Sequence, residues 1–159
     1  MEPVTYKFSN NATRFYFDAA FSQLKKIVDP RSAVIVTDEN IYSGHIKKFR
    51  NWNTIVLKPG ETFKVQDTVD TVIAQMIALQ ADRKTTLIGV GGGVITDITG
   101  YAAAIYMRGI PFGFVPTSIL AMVDASIGGK NGIYVGVYKN KVGNTKQTAF
   151  LLTHHHFLQ

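Results

Sequence analysis

The amino-acid sequence predicts an α/β domain with an open, mostly parallel, doubly wound (Rossmann-like) sheet. Short runs of β-branched and aliphatic residues alternate along the 159 residues with apolar stripes of helical period. Such alternation builds β-α-β units, whose helices cover both faces of a parallel sheet. Glycine or polar residues directly follow four of the predicted strands. In an open parallel sheet ligands bind outside the carboxyl ends of the strands, so these residues predict one ligand-binding edge.

The predicted strands are short apolar runs that end at polar residues, glycine or proline. An unbroken β-branched run is typical of a strand buried on both faces. The run before Pro116 stops there, because proline cannot donate a hydrogen bond to the neighbouring strand. Strands are predicted at residues 12–17, 33–37, 53–57, 85–90, 112–115, 133–137 and 150–153.

The predicted helices are marked by apolar residues that recur every three or four positions. The third helix is expected to end near Arg108-Gly109, where a cation in the last turn is favourable for the helix dipole alone. The three stripes consist of Ala20, Leu24, Ile27 and Val28; of Val65, Val69, Val72, Ile73, Met76 and Ile77; and of Val94, Ile95, Ile98, Ala102 and Ile105.

Composition and charge restrict the class of protein. Apolar residues make up 46% of the chain and charged residues 18%, as in a globular domain with a hydrophobic core. The absence of cysteine excludes disulfides and thiolate metal sites, and it fits a reducing cytoplasm. No apolar stretch approaches the ~20 residues that span a bilayer. Residues 1–6 lack a basic region followed by an apolar one, so no secretory signal is expected.

The net charge of +6 does not by itself predict a nucleic-acid partner. The basic groups Lys25-Lys26 and Lys47-Lys48 are typical of solvated faces of short helices, whereas a nucleic-acid footprint is a continuous patch. Other cations stand beside or near glycines, where lysine and arginine favour a small phosphorylated ligand. These are Lys64, Arg108, Lys130 and Lys139.

Gly91-Gly92-Gly93 lies between a predicted strand and a predicted helix. There, backbone N–H groups can approach a pyrophosphate at the helix N-terminus, although a tight turn requires glycine equally well. The spacing is not the Gly-x-Gly-x-x-Gly fingerprint, and no acidic residue stands about 20 positions on. We therefore expect Asp38 or Glu61, at neighbouring strand ends, to bind ribose hydroxyls. Asp97, predicted in the first turn of the helix, fits a ligand contact and a dipole-matched surface carboxylate equally well.

A carboxylate, two glycines and a lysine lie within seven residues, from Asp124 to Lys130. They can place an acid/base and a phosphate-binding cation around one small ligand. Lys139-Asn140 adds another cation and an amide, but spacing alone does not name a reaction. His154-His155-His156 predicts a polar strand end or loop rather than a metal site, because consecutive residues of a strand point to alternate faces.

These segments, in this order and spacing, resemble the 3-dehydroquinate synthase family from about residue 34 to the end. The resemblance implies one NAD-binding N-terminal domain over residues 1–159. Two positions depart from the family pattern: Ser118 replaces a commoner threonine, and Ala125 stands where serine is frequent. The matching segments are Thr37–Asn40, Pro59–Lys64, Gly91–Asp97, Tyr106–Gly109, Val115–Ser118, Val123–Lys130 and Lys139–Asn140.

The resemblance implies conversion of 3-deoxy-arabino-heptulosonate 7-phosphate to 3-dehydroquinate and phosphate, the second step of the shikimate pathway. Tightly held NAD+ would oxidise a ring hydroxyl transiently, and a divalent metal, zinc or cobalt, would polarise that hydroxyl. The expected partners are this phosphorylated sugar acid and, in the full-length enzyme, a second subunit of a cytoplasmic homodimer. Neither a nucleic acid nor a membrane is expected as a partner.

The resemblance also assigns roles to residues at matching positions. Asp124, Lys130 and Asn140 would bind the substrate, and Arg108 would reach the substrate phosphate of the neighbouring subunit. The cofactor contacts begin with four residues at the adenosine end and continue with the glycine loop and Asp97 along the pyrophosphate and its ribose. In chain order they are Asp38, Asn40, Glu61, Lys64, Gly92, Gly93, Val94, Asp97, Thr117, Ser118, Leu120, Lys130, Lys139, Phe157 and Leu158.

The family's metal ligands, one glutamate and two histidines, lie in a helical C-terminal domain that would begin just beyond Gln159. No metal ligand is therefore expected among the 159 residues, and we expect no phosphate release by this chain alone in a turnover assay. Two alternatives stay open: a domain of another sugar-phosphate cyclase, making valiolone or deoxy-inosose rings, and an NAD-binding module without catalysis. Gly128-Gly129-Lys130 argues against the other cyclases, since those relatives tend to change the first residues of this triplet.

Overall fold

A computed structural model of the chain describes residues 3–8, 11–127, 130–135, 138–145 and 149–153, with side chains described over 3–5, 13–123 and 149–153. The strands are β1 Val4–Phe8, β2 Asn11–Tyr16, β3 Ala33–Asp38, β4 Asn53–Leu57, β5 Thr86–Gly91, β6 Phe112–Pro116, β7 Lys130–Val135, β8 Tyr138–Thr145 and β9 Phe150–Leu152. The α-helices are α1 Leu24–Ile27, α2 Glu39–Gly44, α3 Gln66–Ala78, α4 Gly93–Ile105 and α5 Ile119–Ile127. Short 3-10 helices occupy Phe21–Gln23, Pro30–Ser32, Ile46–Phe49, Glu61–Phe63 and Tyr106–Arg108.

Seven strands form one mostly parallel sheet in the order β1-β2-β9-β6-β5-β3-β4. Strands β1 and β2 pair antiparallel, whereas every other neighbouring pair in this sheet is parallel. The predicted open, doubly wound α/β sheet is therefore confirmed. No helix within the described residues is long and apolar enough to span a membrane.

Two hydrophobic cores lie on the two faces of the sheet, as alternating side chains of a strand require. On β3, Val34 and Val36 belong to the core that packs under α3 and α4. Ala33 and Ile35 belong to the other core, which also contains Leu24 of α1 and against which α2 packs. All four side chains are buried, so β3 is covered on both faces. This explains the unbroken apolar run in its sequence.

Several elements differ from the sequence prediction. The predicted helix after β2 is a 3-10 turn followed by the four-residue α1, and β1 adds an unpredicted edge strand. Helix α5 and strand β8 are also unpredicted. Strand β7 pairs antiparallel with β8 in a separate two-stranded sheet rather than in the main sheet. The prediction for residues 136–137 lies outside the described residues.

Strand β9 packs against β6 through a contact that requires glycine. A Cβ built at Gly113 would overlap ring atoms of Phe150, whose side chain is buried in the core of the α1 and α2 face. Gly113 also lies opposite Phe150 in the parallel register. The flat surface of the glycine therefore lets an aromatic ring cover β6 at this position.

We predict that Gly113→Ala destabilises the domain by about 2 kcal/mol, because the methyl group must displace a packed ring. Gly44→Ala is the matched control, since no atom lies within 4 Å of a Cβ built there in α2. Alanine favours a helix over glycine, so the control should keep or slightly raise stability. Urea unfolding of both variants measures the difference; an unchanged midpoint for Gly113→Ala would contradict the prediction.

Candidate functional site

The chain reverses its direction across the sheet between β3 and β5. From β3 the chain passes through α2, on one face, to β4, and it returns through α3, on the other face, to β5. β5 pairs with the other side of β3. Such a switch point leaves a crevice outside the carboxyl ends of the two strands, where open α/β sheets bind ligands.

Four parallel strands end together at this edge. Asp38 of β3 lies opposite Leu57 of β4, and Gly91 of β5 lies opposite Pro116 of β6. The buried Thr37 hydroxyl donates a hydrogen bond of 2.7 Å to the Val90 carbonyl, which ties β3 to β5 just below the crevice. The sequence prediction that four strand ends share one edge is thus confirmed.

The three glycines after β5 have different surroundings. A Cβ at Gly91 would lie 2.7 Å from the Ile95 side chain, so this glycine lets α4 pack closely on the strand. Gly92 precedes α4 and has only the Ser118 hydroxyl near a built Cβ, at 3.9 Å. At Gly93, the exposed first residue of α4, no atom of the described side chains and backbone lies within 4 Å of a built Cβ. Gly91 thus serves packing, while Gly93 leaves open space.

The N-terminus of α4 presents backbone donors to that open space. Thr96 N–H donates to the Gly92 carbonyl at 3.1 Å, the first hydrogen bond of the helix. The N–H groups of Gly93, Val94 and Ile95 therefore have no partner within the helix. Together with the helix dipole they attract an anion such as a phosphate.

The end of β6 is held against the glycine loop. Thr117 N–H donates to the Gly91 carbonyl at 2.9 Å. The Ser118 hydroxyl accepts a hydrogen bond of 3.1 Å from Ala121 N–H at the start of α5. A hydroxyl that accepts one hydrogen bond can still donate its proton, so Ser118 can cap α5 and contact a ligand together. Leu120 projects a largely exposed side chain from the same helix.

Asp38 caps α2 at the end of β3. Its Oδ1 accepts a hydrogen bond of 2.9 Å from Ile41 N–H, which fixes the carboxylate at the carboxyl edge of the sheet. Asp38 is half-buried, and Asn40, in the first turn of α2, is exposed. A carboxylate held in this way keeps a second oxygen with which to accept hydrogen bonds from hydroxyl groups.

A buried lysine joins two carboxylates from different segments. Lys64 Nζ lies 2.9 Å from Asp97 Oδ2 and 3.8 Å from Glu61 Oε2. The Lys64 side chain is 3% exposed, against 29% for Asp97 and 58% for Glu61. The structure therefore brings together three predicted site residues that lie up to 36 positions apart in the sequence. The sequence placed this lysine near a glycine, in a context that favours a small phosphorylated ligand; the structure shows it buried and paired with a carboxylate.

Two sequence interpretations of individual residues are wrong. Asp97 lies in the second turn of α4, since the helix begins at Gly93, and it pairs with Lys64 rather than acting as a dipole-matched surface carboxylate. Arg108 does not close α4, which ends at Ile105. It ends a 3-10 turn in which Met107 and Arg108 both have positive φ, of 46° and 68°, before Gly109 at 114°.

The remaining predicted site residues lie where side chains are not described. The backbone places Asp124 in α5, Lys130 at the start of β7, and Lys139 and Asn140 in β8. Phe157, Leu158 and the histidines 154–156 lie outside the described residues. Among the residues that the structure does describe, no group of three or more histidine, aspartate or glutamate side chains could hold a metal ion.

A contact that the sequence did not predict fixes the depth of α4 on the sheet. Thr99 is fully buried, and a Cβ built at Gly89 would lie 2.6 Å from its hydroxyl oxygen. Glycines at 89 and 91 alternate along β5 and face α4 at Thr99 and Ile95. One feature of the sequence could have predicted this contact: two glycines separated by one residue in an otherwise apolar strand. Glycine within a strand often indicates that another backbone approaches closely.

Comparison with known proteins gives a family model and a set of solved structures. The model described as 3-dehydroquinate synthase N-terminal matches residues 54–159. A 2-deoxy-scyllo-inosose synthase complexed with carbaglucose-6-phosphate, NAD+ and Co2+ aligns at 24% identity and a TM-score of 0.84, over 98% of this chain and 46% of that one. A 2-epi-5-epi-valiolone synthase from Streptomyces hygroscopicus with NAD+ and Zn2+ bound aligns at 27% identity and 0.84, over 96% and 46%.

Matches at lower TM-score include dehydrogenases. A glycerol dehydrogenase from Schizosaccharomyces pombe aligns at 20% identity and a TM-score of 0.61, over 90% of this chain and 37% of that one. The chain spans less than half the length of each of these three solved proteins. These likenesses establish the fold, including the mostly parallel sheet with helices on both faces.

We predict an asymmetric response when the buried ion pair is broken. Asp97→Asn should lower the free energy of unfolding by about 3 kcal/mol, because the buried Lys64 ammonium loses its nearest carboxylate. Lys64→Met should cost only about 1 kcal/mol, since water can reach Asp97 and the methionine stem still fills the buried space. Urea unfolding measures both variants.

The double variant Lys64→Met with Asp97→Asn is the control for this prediction. It removes both charges, so its stability should lie close to that of Lys64→Met and well above that of Asp97→Asn. A larger loss for Lys64→Met than for Asp97→Asn would contradict the argument from burial.

Proposed function

Because the chain belongs to the family described as 3-dehydroquinate synthase N-terminal, we propose that it is the NAD-binding domain of a 3-dehydroquinate synthase. The reaction is the conversion of 3-deoxy-arabino-heptulosonate 7-phosphate to 3-dehydroquinate and phosphate. The observation that carries the proposal is the open N-terminus of α4 at the switch point between β3 and β5. A pyrophosphate fits this place because Gly93 leaves space and the first-turn N–H groups lack helical partners.

The adenosine end of NAD would lie over the ends of β3 and β4. Asp38 is fixed there by its bond to Ile41 N–H, and Glu61 stands in the turn after β4. Carboxylates at these positions accept hydrogen bonds from ribose hydroxyls, as an acidic residue does in dinucleotide-binding folds. Lys64 and Asp97 would border the same ribose, with the lysine charge already balanced by the ion pair.

The nicotinamide end would run toward the end of β6 and α5. Thr117 and Ser118 lie beside the glycine loop, because Thr117 N–H donates a hydrogen bond to the Gly91 carbonyl. Ser118, which caps α5, keeps a hydroxyl proton for the cofactor. Bound NAD+ would supply a hydride acceptor for a ring hydroxyl of the substrate. The residues of this chain would bind and orient the two molecules.

Asp124, Lys130 and Asn140 would bind the phosphorylated substrate. Arg108 would reach the phosphate of the substrate that is bound in the neighbouring subunit. The backbone at Arg108 supports such a role, because two consecutive non-glycine residues with positive φ are strained. Strain of this kind is typical of positions where function fixes the direction of a side chain. As the family resemblance implies, a zinc or cobalt ion would be held in the full-length enzyme by one glutamate and two histidines.

A second candidate is a domain of another sugar-phosphate cyclase. It is favoured by the structural matches to 2-deoxy-scyllo-inosose synthase and 2-epi-5-epi-valiolone synthase. The fold is common to both candidates, so the choice between them depends on the substrate. Gly128-Gly129-Lys130 favours the first candidate.

We predict that Gly93→Ala weakens NAD+ binding at least about tenfold while the domain keeps its stability within about 0.5 kcal/mol. The added methyl group meets no atom within 4 Å in the part of the chain that the structure describes, but it would fill space that the pyrophosphate needs. Calorimetric titration with NAD+ measures the loss, and Gly44→Ala in α2 is the matched control. Wild-type affinity in Gly93→Ala would exclude the α4 N-terminus as the pyrophosphate site.

We also predict that the NAD+-loaded chain binds 3-deoxy-arabino-heptulosonate 7-phosphate more tightly than carbaglucose-6-phosphate. Lys130→Gln should weaken this binding about tenfold, since a charged hydrogen-bond partner of the substrate is lost. Lys84→Gln, an exposed lysine before β5 at the opposite edge of the sheet, should change nothing. Preference for carbaglucose-6-phosphate would instead support the second candidate.

A further inference from the structure

Two basic segments that are far apart in the sequence line one cavity of about 280 Å³. The first segment runs from the 3-10 turn after β2 into α1, and the second follows α2. The sequence indicated only that their lysines lie on short helices; the structure places them around the same concave surface. The lining residues are Ala20, Phe21, Ser22, Lys25, Lys47, Lys48, Asn51 and Trp52.

Aromatic packing holds the two walls of this cavity together. Phe21 is buried beneath it, and its ring meets that of Phe49 edge-on, with 5.6 Å between centroids. Phe49 also contacts Tyr42 of α2, at 5.5 Å. Trp52 N–H donates to the Phe49 carbonyl at 3.0 Å, and Trp52 packs half-buried against the same core. The base of the cavity therefore rests on the hydrophobic core, while Lys25 and Lys47 at its rim are exposed.

The lining of the cavity is strongly cationic. Three of its eight residues are lysines and none is a carboxylate. Ser22 and Asn51 add neutral hydrogen-bonding groups, and Trp52 adds an aromatic surface. The neighbouring His45 responds to this environment: burial, and then the charge of Lys48, lower its pKa. An anion entering the cavity would relieve the repulsion among these ammonium groups.

None of the residues that line this cavity is assigned to NAD. Trp52 directly precedes β4, whose first residue is Asn53, so this wall lies toward the amino-terminal edge of the sheet. Asp38 and Gly92 lie at the carboxyl edge. The cavity volume is slightly below the usual range of roughly 300 to 1,000 Å³ for ligand sites, so the cavity suits a small ligand better than a dinucleotide.

We propose that this cavity is a second anion site, which binds a small phosphorylated metabolite carrying two or more negative charges. Lys25 and Lys47, from opposite walls, contact its phosphate groups, and the Trp52 indole packs against its apolar part. Lysine suits this task because its ammonium is a compact charge that binds phosphate oxygens. A nucleic acid is a poorer match, since its footprint requires a continuous basic surface rather than a concave cavity.

Trp52 gives the proposal a direct readout, because it is the only tryptophan of the chain. The experiment titrates the 159-residue chain with inorganic pyrophosphate at constant ionic strength, and it follows Trp52 fluorescence with calorimetry in parallel. NAD+ is present at saturating concentration, so that it occupies the α4 N-terminus, where a pyrophosphate also fits. Under these conditions we expect a saturable signal with one site. Lys25→Gln and Lys47→Gln should each weaken binding about tenfold.

Lys26→Gln is the matched control, because it removes the same charge from the same short helix without lining the cavity. It should leave the affinity unchanged, and unfolding midpoints verify that all three variants fold. Equal loss in all three would reduce the effect to net charge and overturn the proposal. The proposal would also be overturned if pyrophosphate caused neither heat nor a fluorescence change. Tighter binding of a short single-stranded RNA than of pyrophosphate would overturn it as well.

Discussion

The close approach of α4 to β5 is the constraint on which the candidate site depends. Thr99 and Ile95 press against the strand where a Cβ at Gly89 or Gly91 would lie 2.6 or 2.7 Å from them. A helix packed at this depth begins directly over the end of its strand. Its first-turn N–H groups and the open space at Gly93 are therefore placed at the switch point by packing, before any ligand contributes.

The same packing positions the buried charge. Asp97 is carried on the second turn of α4, and Lys64 on the turn that leads into α3, so their 2.9 Å contact connects the ends of β5 and β4. An ion pair of this kind adds little net stability, because desolvation of the ammonium offsets most of the attraction. Its main effect is geometric. A wrong placement of either segment would leave a charge buried without its partner, which strongly disfavours alternative arrangements.

The sequence predicted the central strands well because β3 and β5 are buried on both faces. Their short continuous apolar runs do not show the three-to-four-residue spacing that would indicate a helix. It also predicted that β3, β4, β5 and β6 end at one edge. It missed α5, since Ile119, Leu120 and Val123 remain exposed and produce no ordinary amphipathic stripe. The Lys64–Asp97 pair and the cavity around Lys25 and Lys47 join residues 33 and 22 positions apart. Such contacts depend on how helices pack on the sheet, which local patterns do not encode.

The distribution of charge in the proposed site favours NAD over its phosphorylated form. Asp38 and Glu61 stand where the adenosine ribose would lie, and a carboxylate there binds a 2′-hydroxyl but repels a 2′-phosphate. Lys64 is a cation near these carboxylates, but its charge is already matched by Asp97. Lys58, which follows β4, lies over the Phe63 ring, with its Nζ 5.9 Å from the ring centroid. The pyrophosphate would be stabilised by the α4 N-terminus, which uses no lysine. In the proposed arrangement, carboxylates would bind the adenosine ribose and backbone N–H groups the pyrophosphate, while Arg108 and Lys130 would bind the substrate.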